Sequence, residues 1–199
     1  MKKAAVALTL TTLAAGILHS CAMVSAPPAK PAAAVDNAAQ KAPAKVARRS
    51  AISGMLDGVL AGGAVGRYED ENAKTPAQTV RDYGYTPAQG PLISFDSVRA
   101  NPAIVAAGET INVNAEYAVL LPVAGQLVTV TETREFLKDG APAGKVSIEV
   151  ERTAGTYKST IPFTIPGAAT AGNYQVNVTI EVPGGALRDS KETFFKVTR

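Results

Sequence analysis

The sequence predicts an all-β fold, an antiparallel two-sheet sandwich of about seven strands filling residues 92–199. Three observations carry this. Apolar and polar side chains alternate with period two through that region, turn residues separate the alternating runs, and the runs have the number, length and spacing of the strands of a small sandwich.

The expected strands follow in order. The first covers residues 92–105, with a break at Asn101-Pro102. The second, 110–121, sets Ile111, Val113, Ala115, Tyr117 and Val119 on one face against Asn112, Asn114 and Glu116 on the other. The third spans 126–137. In the fourth, 145–152, Val146, Ile148 and Val150 alternate with Lys145, Ser147, Glu149 and Glu151. Tyr157, Ile161, Phe163 and Ile165 mark the fifth, 156–165. The sixth, 173–182, opposes Tyr174, Val176, Val178, Ile180 and Val182 to Gln175, Asn177, Thr179 and Glu181, and the seventh covers 190–198. Half-buried antiparallel strands produce this alternation, because successive side chains point to opposite faces. Turns are signalled at Ala107-Gly108, Lys138-Asp139-Gly140, Ile165-Pro166-Gly167, Ala171-Gly172-Asn173 and Pro183-Gly184-Gly185. Such a set of strands predicts a sandwich of immunoglobulin type, with Tyr174 where a tyrosine corner would stand. With no tryptophan and no possible internal disulfide, the core must be built from Val, Ile, Leu, Phe and Tyr. Through the stretches 101–120 and 165–182 the region resembles bacterial Ig-like modules.

Ahead of it the composition changes. Lys2 and Lys3 precede an apolar run from Ala4 to Leu18, too short for a membrane span and laid out as a secretory signal over residues 1–20. The run ends in Leu18-His19-Ser20-Cys21, which resembles the lipobox of bacterial lipoproteins. That resemblance implies acylation of Cys21 as the first mature residue, and Ala22 beside it implies export to the outer membrane. Acyl chains contribute about 0.8 kcal/mol per buried methylene, so several would hold the chain on a bilayer without a spanning helix.

Cys21 is the only cysteine and His19 the only histidine. A mature chain acylated at Cys21 has no free thiol and no imidazole. Cys/His and Ser/His/Asp catalysis are excluded, as are zinc sites of the usual ligand types. Removing Lys2 and Lys3 from 20 basic residues leaves 18 against 17 acidic ones, a net charge of +1, and nothing in that balance points to nucleic acid.

Residues 21–50 are dominated by Ala, Pro and Lys and are expected to form a disordered tether, since they lack the apolar surface to offset their chain entropy. Residues 51–67 contain SGMLDGVLAGGAVG, in which Gly54, Gly58, Gly62 and Gly66 recur at every fourth position. On a helix these four would line up as a groove without side chains, open to close approach by another backbone. A helix over Ser53 to Gly66 would be about 21 Å long, short of a bilayer core, and would contain Asp57. The expectation is therefore a short helix-packing strip, with a neighbouring copy, an envelope protein or the membrane surface as partner. Residues 68–91 read as a polar linker, with a short helical turn around Pro76 and a solvated charge run at Glu69, Asp70, Glu71 and Asn72.

The ladder resembles the glycine zipper of bacterial envelope lipoproteins. Together with YGYTPAQG (83–90) and the β region beyond, it is more specifically similar to glycine zipper family lipoproteins of proteobacteria. The resemblance implies a non-enzymatic, lipid-anchored outer-membrane protein, on the periplasmic face or at the cell surface, that needs no cofactor. Its β domain would act as a binding or structural module, through loops such as residues 121–126, 138–144 and 183–188. A surface adhesin or a carbohydrate-binding accessory module is the alternative. A carboxylate-dependent hydrolase is disfavoured: Glu132 and Glu135, three apart, should face opposite sides of a strand, and Glu149 and Glu151 share a solvated face.

Overall fold

The computed structural model describes residues 60–199. Residues 1–59, with Cys21, Gly54 and Gly58, lie outside the described residues. The described residues are mostly β-strand. In order it forms β1 (Ala64–Val65), β2 (Glu69–Lys74), α1 (Pro76–Tyr83), a 3-10 turn (Pro87–Gln89), β3 (Leu92–Asn101), β4 (Ile104–Ala106), β5 (Thr110–Leu120), β6 (Val128–Lys138), β7 (Ala141–Arg152), β8 (Gly155–Thr164), β9 (Gly172–Glu181) and β10 (Arg188–Thr198).

These strands make two five-stranded sheets. One has the order β1-β8-β5-β3, with β2 also paired to β8; the other runs β4-β10-β9-β6-β7. Every pairing is antiparallel except that of β4 with β10. The period-two pattern explains the faces. Ile111, Val113, Ala115, Tyr117 and Val119 of β5 are buried, and so are Val176, Val178 and Ile180 of β9, while their polar neighbours lie on the outer faces. The two inner faces share one core, in which Phe136 of β6 meets Phe163 of β8 edge-on at 4.6 Å between ring centroids. Tyr174 stacks on Phe195 and donates its hydroxyl proton to the carbonyl of Thr170 at 2.8 Å, which pins the turn that opens β9.

The first expected strand is two, β3 and β4, separated at Asn101-Pro102, where the peptide bond is cis. β3 belongs to one sheet and β4 to the other.

The larger difference lies upstream. Residues 68–91 were expected to be a polar linker, but they are packed on the domain. Thr75 caps α1 with a full capping box: its hydroxyl accepts from the Gln78 N–H at 3.4 Å, while the Gln78 side chain accepts from the Thr75 N–H at 2.9 Å. Pro76 opens the helix and Gly84, in the left-handed region, closes it. The helix packs over β8 and β5, where Thr79 is buried and shares a 3.0 Å hydrogen bond with Thr156. Ala118, an outward position of β5, is consequently buried as well.

Candidate functional site

Within the described part of the ladder, Gly62 and Gly66 do not lie on a helix. Gly62 has a φ of +87°, and the chain after it enters the extended segment β1, opposite Thr164 and Phe163. Gly66 donates its N–H to the Pro162 carbonyl at 2.8 Å, and a Cβ there would stand 2.9 Å from the Pro162 ring. The close approach that requires glycine at position 66 is thus to β8 of the same chain. Leu60, just before Gly62, is buried in the core. The helical strip over 51–67 is corrected in its second half: positive φ at Gly62 and backbone pairing at Gly66 take that part of the chain out of helical geometry.

The densest chemistry is inside the domain. On β6, Val130, Glu132, Arg134 and Phe136 share the inward parity, so two charged side chains stand in the core between two apolar ones, both with no exposed surface. Arg152, at the end of β7, is 5% exposed and joins them. Glu132 Oε2 accepts from Arg134 Nη1 at 2.9 Å and from Ser159 Oγ at 2.8 Å. Its Oε1 accepts from the hydroxyls of Tyr117 at 2.6 Å and Tyr68 at 2.8 Å, with Arg152 Nη2 at 3.3 Å. Arg134 Nη2 donates to Ser159 Oγ at 2.7 Å. Arg152 donates from Nε to Tyr117, from Nη2 to Tyr68 and from Nη1 to Asp70, at 2.9, 2.6 and 2.6 Å, and its guanidinium lies over the Tyr157 ring at 4.4 Å.

Two carboxylates face two guanidiniums, so the cluster is neutral as a whole, as a buried set of charges must be. Burial alone would push the Glu132 carboxyl up, but the Arg134 and Arg152 charges outweigh it and hold the group down at about 2. Burial, reinforced by the Glu132 charge, pushes the Tyr68 and Tyr117 hydroxyls well above their ordinary range, so both remain donors. Glu132 is therefore ionised and fully hydrogen-bonded near neutral pH, which suits holding charge in place and not exchanging a proton. Arg134 Nε is the one buried side-chain polar atom without a partner among the described residues.

Sequence reasoning missed this cluster. It compared Glu132 with Glu135, which do lie on opposite faces, whereas the informative spacing was Glu132 with Arg134, two apart and in phase with Val130 and Phe136. The expected solvated run at residues 69–72 also changes: Asp70 turns inward and closes the cluster on Arg152, because β2 is paired in register with β8. Glu149 and Glu151 are exposed, as their pattern implied.

Of the candidate contact loops, residues 121–126 and 183–188 lie at one end of the domain and 138–144 at the other, where only Asp139 and Gly140 lie outside strands β6 and β7. Residues 107–109, 139–140 and 165–171 lie at the end where the chain enters through β1. Residues 84–91, 121–127, 153–154 and 182–187 lie at the opposite end. Among the described residues no helix is long and apolar enough to cross a membrane, and no group of three or more Cys, His, Asp or Glu side chains could hold a metal ion.

No family model and no curated protein matches the chain. Parts of some solved structures are similar to it. They include an alkylpurine DNA glycosylase of Pseudomonas fluorescens bound to DNA (20% identity, 54% of this chain and 30% of that one, TM-score 0.39). A family 123 glycoside hydrolase of Clostridium perfringens shares 11% identity over 69% of this chain and 27% of that one, with a TM-score of 0.42. A β-glucosidase of Erythrobacter marinus shares 10% over 54% and 16%, with a TM-score of 0.40. The chain spans less than a third of each, and likenesses of this degree carry no argument about its activity.

Proposed function

We propose that the chain is a non-enzymatic lipoprotein of the bacterial outer membrane, anchored through acylated Cys21, whose immunoglobulin-like β domain serves as a binding or structural module in the envelope. The observation that carries this reading is the leader, Lys2-Lys3 with an apolar run closing in Leu18-His19-Ser20-Cys21. The domain agrees with it. Its two sheets, antiparallel but for the β4–β10 pair, the Tyr174 hydroxyl bound to a carbonyl four residues upstream, and a core without tryptophan or cysteine are what an Ig-like module of this composition needs. Its one buried carboxylate is committed to internal ion pairs.

Metabolic labelling with a palmitate analogue tests this. The wild-type chain is expected to take up label and fractionate with outer membranes. Cys21→Ser should lose the label and leave the outer-membrane fraction. An unlabelled wild-type chain, or full retention of unlabelled Cys21→Ser in the outer-membrane fraction, would defeat the proposal.

A further inference from the structure

The two ends of the domain differ in chemistry. The loops at the end remote from chain entry are GYTPAQGP (84–91), LPVAGQL (121–127), TA (153–154) and VPGGAL (182–187), and none contains Asp, Glu, Lys or Arg. The nearest charges stand on the elements that flank these loops: Arg152, Glu181 and Arg188 at the adjoining strand ends, and Lys74, Arg81 and Asp82 on β2 and α1. Three of the five exposed large apolar residues among the described ones gather here. Val123 is 60% exposed and Leu127 62%, both in the loop that joins the sheets, and Leu92 is 42% exposed and pairs with Leu120 at the base of that loop. The loops of the entry end, by contrast, carry Glu109 and Asp139.

We infer that these uncharged loops form a lipid-contacting surface, of which the 121–127 loop, aided by Leu92, dips into the headgroup boundary of a bilayer without requiring anionic lipid. The side-chain chemistry separates this occupant from a protein. Protein hot spots are enriched in Trp, Tyr and Arg; here the loops offer one tyrosine, Tyr85, which is buried with its hydroxyl bound to the Gly90 carbonyl at 2.7 Å. Exposed aliphatics on loops that carry no charge of their own are instead what an interfacial segment needs, since each charge carried into the boundary would oppose insertion.

Chain length outside the structure fits as well. For a bilayer close at hand the inference rests on the proposed acylation of Cys21. The 38 residues 22–59 then separate the anchor from Leu60. Fully extended, a chain of that length reaches at most about 125 Å. β5, which runs from the entry end to the remote end, has 11 residues, or about 36 Å at 3.3 Å each. The length of chain before Leu60 therefore lets the remote end reach the bilayer that holds the anchor.

The full mature chain carrying Cys21→Ser tests the surface apart from the anchor. Because that chain is free of cysteine, Ala124→Cys provides one thiol for an environment-sensitive fluorophore at the loop tip. With vesicles of phosphatidylcholine alone the emission is expected to shift to the blue, with little dependence on salt. Val123→Asp with Leu127→Asp should lower vesicle partitioning by about tenfold or more, given the apolar area removed. Ile104→Asp, at an equally exposed aliphatic near the entry end, should leave it unchanged. The fluorophore reading on the otherwise wild-type loop stands even if the double variant folds poorly. Three results would overturn the inference: no spectral change with vesicles; association that needs phosphatidylglycerol and survives the double substitution, which assigns it to Lys30, Lys41, Lys45, Arg48 and Arg49; or a change that follows protein concentration without vesicles, which assigns the surface to a second copy. A positive fluorophore result with no acyl label on the wild-type chain would sink the lipoprotein reading and leave this one standing.

Discussion

One core is built in two ways along the same strand. Toward the entry end, Phe136 of β6 packs edge-on against Phe163 and Phe195, with Ile111, Ile165 and Tyr174 around them. Four residues earlier on the same face, Glu132 sits among Arg134, Arg152, Tyr68, Tyr117 and Ser159, equally sealed from solvent. The apolar half depends on shape and area, and its contacts are indifferent to pH. The ionic half depends on complete pairing, because taking two charges out of water costs several kcal/mol per ion before their attraction offsets it. It also reaches further along the chain: Tyr68 and Asp70 belong to the segment that enters the domain, so the ionic half adds side-chain bonds to the backbone pairing that holds β2 on β8.

The largest effect is expected in the ionic half. Glu132→Gln keeps the shape but leaves Arg134 and Arg152 with only Asp70 as counter-charge, and should cost about 3–5 kcal/mol, read from the midpoint of chemical unfolding. It should also raise protease sensitivity at residues 68–74 before the rest of the domain opens, since Tyr68 and Arg152 lose a shared partner. In the apolar half, Phe136→Leu removes the edge-on contacts but leaves an aliphatic that neighbours can close around, for about 1–2 kcal/mol. If the leucine variant proved the more damaging of the two, the ionic half would be an ornament on an apolar core.

The same contrast explains what could be read in the sequence. Strands β3 to β10 were legible because each has one buried and one exposed face, and period two records that difference residue by residue. Even the break at Asn101-Pro102 showed. The Glu132 cluster was hidden because a charge at an inward position reads as an error in the pattern or as a surface residue, and its partners Tyr68, Tyr117, Arg152 and Ser159 come from elsewhere in the chain. The in-phase run Val130-Glu132-Arg134-Phe136 was the available signal. β2 was illegible for another reason. Its residues, EDENAK, have little strand preference, and the strand forms because β8 offers an unpaired edge and Arg152 a counter-charge for Asp70. Helix α1 was legible as the short helical turn around Pro76, and Thr75-Pro76-Ala77-Gln78, a capping box with proline at the first helical position, marks where it starts. The every-fourth-residue spacing of the ladder misled because spacing says nothing about φ, and Gly62 and Gly66 are used for a left-handed turn and for contact with Pro162.

The pH dependence of stability tests the ionic half most directly. Glu132 titrates at about 2 in the folded protein and near 4.5 when unfolded, so its ionisation contributes about 3 kcal/mol that is fully present above pH 4.5 and lost as pH falls toward 2. Unfolding free energies of the wild-type chain and of Glu132→Gln, measured from pH 6 down to about pH 2, should differ by a constant amount above about pH 5, and the gap should close by about 3 kcal/mol on the way down. A gap that stayed constant across that range would show that Glu132 is not held ionised by Arg134 and Arg152, and would contradict the account.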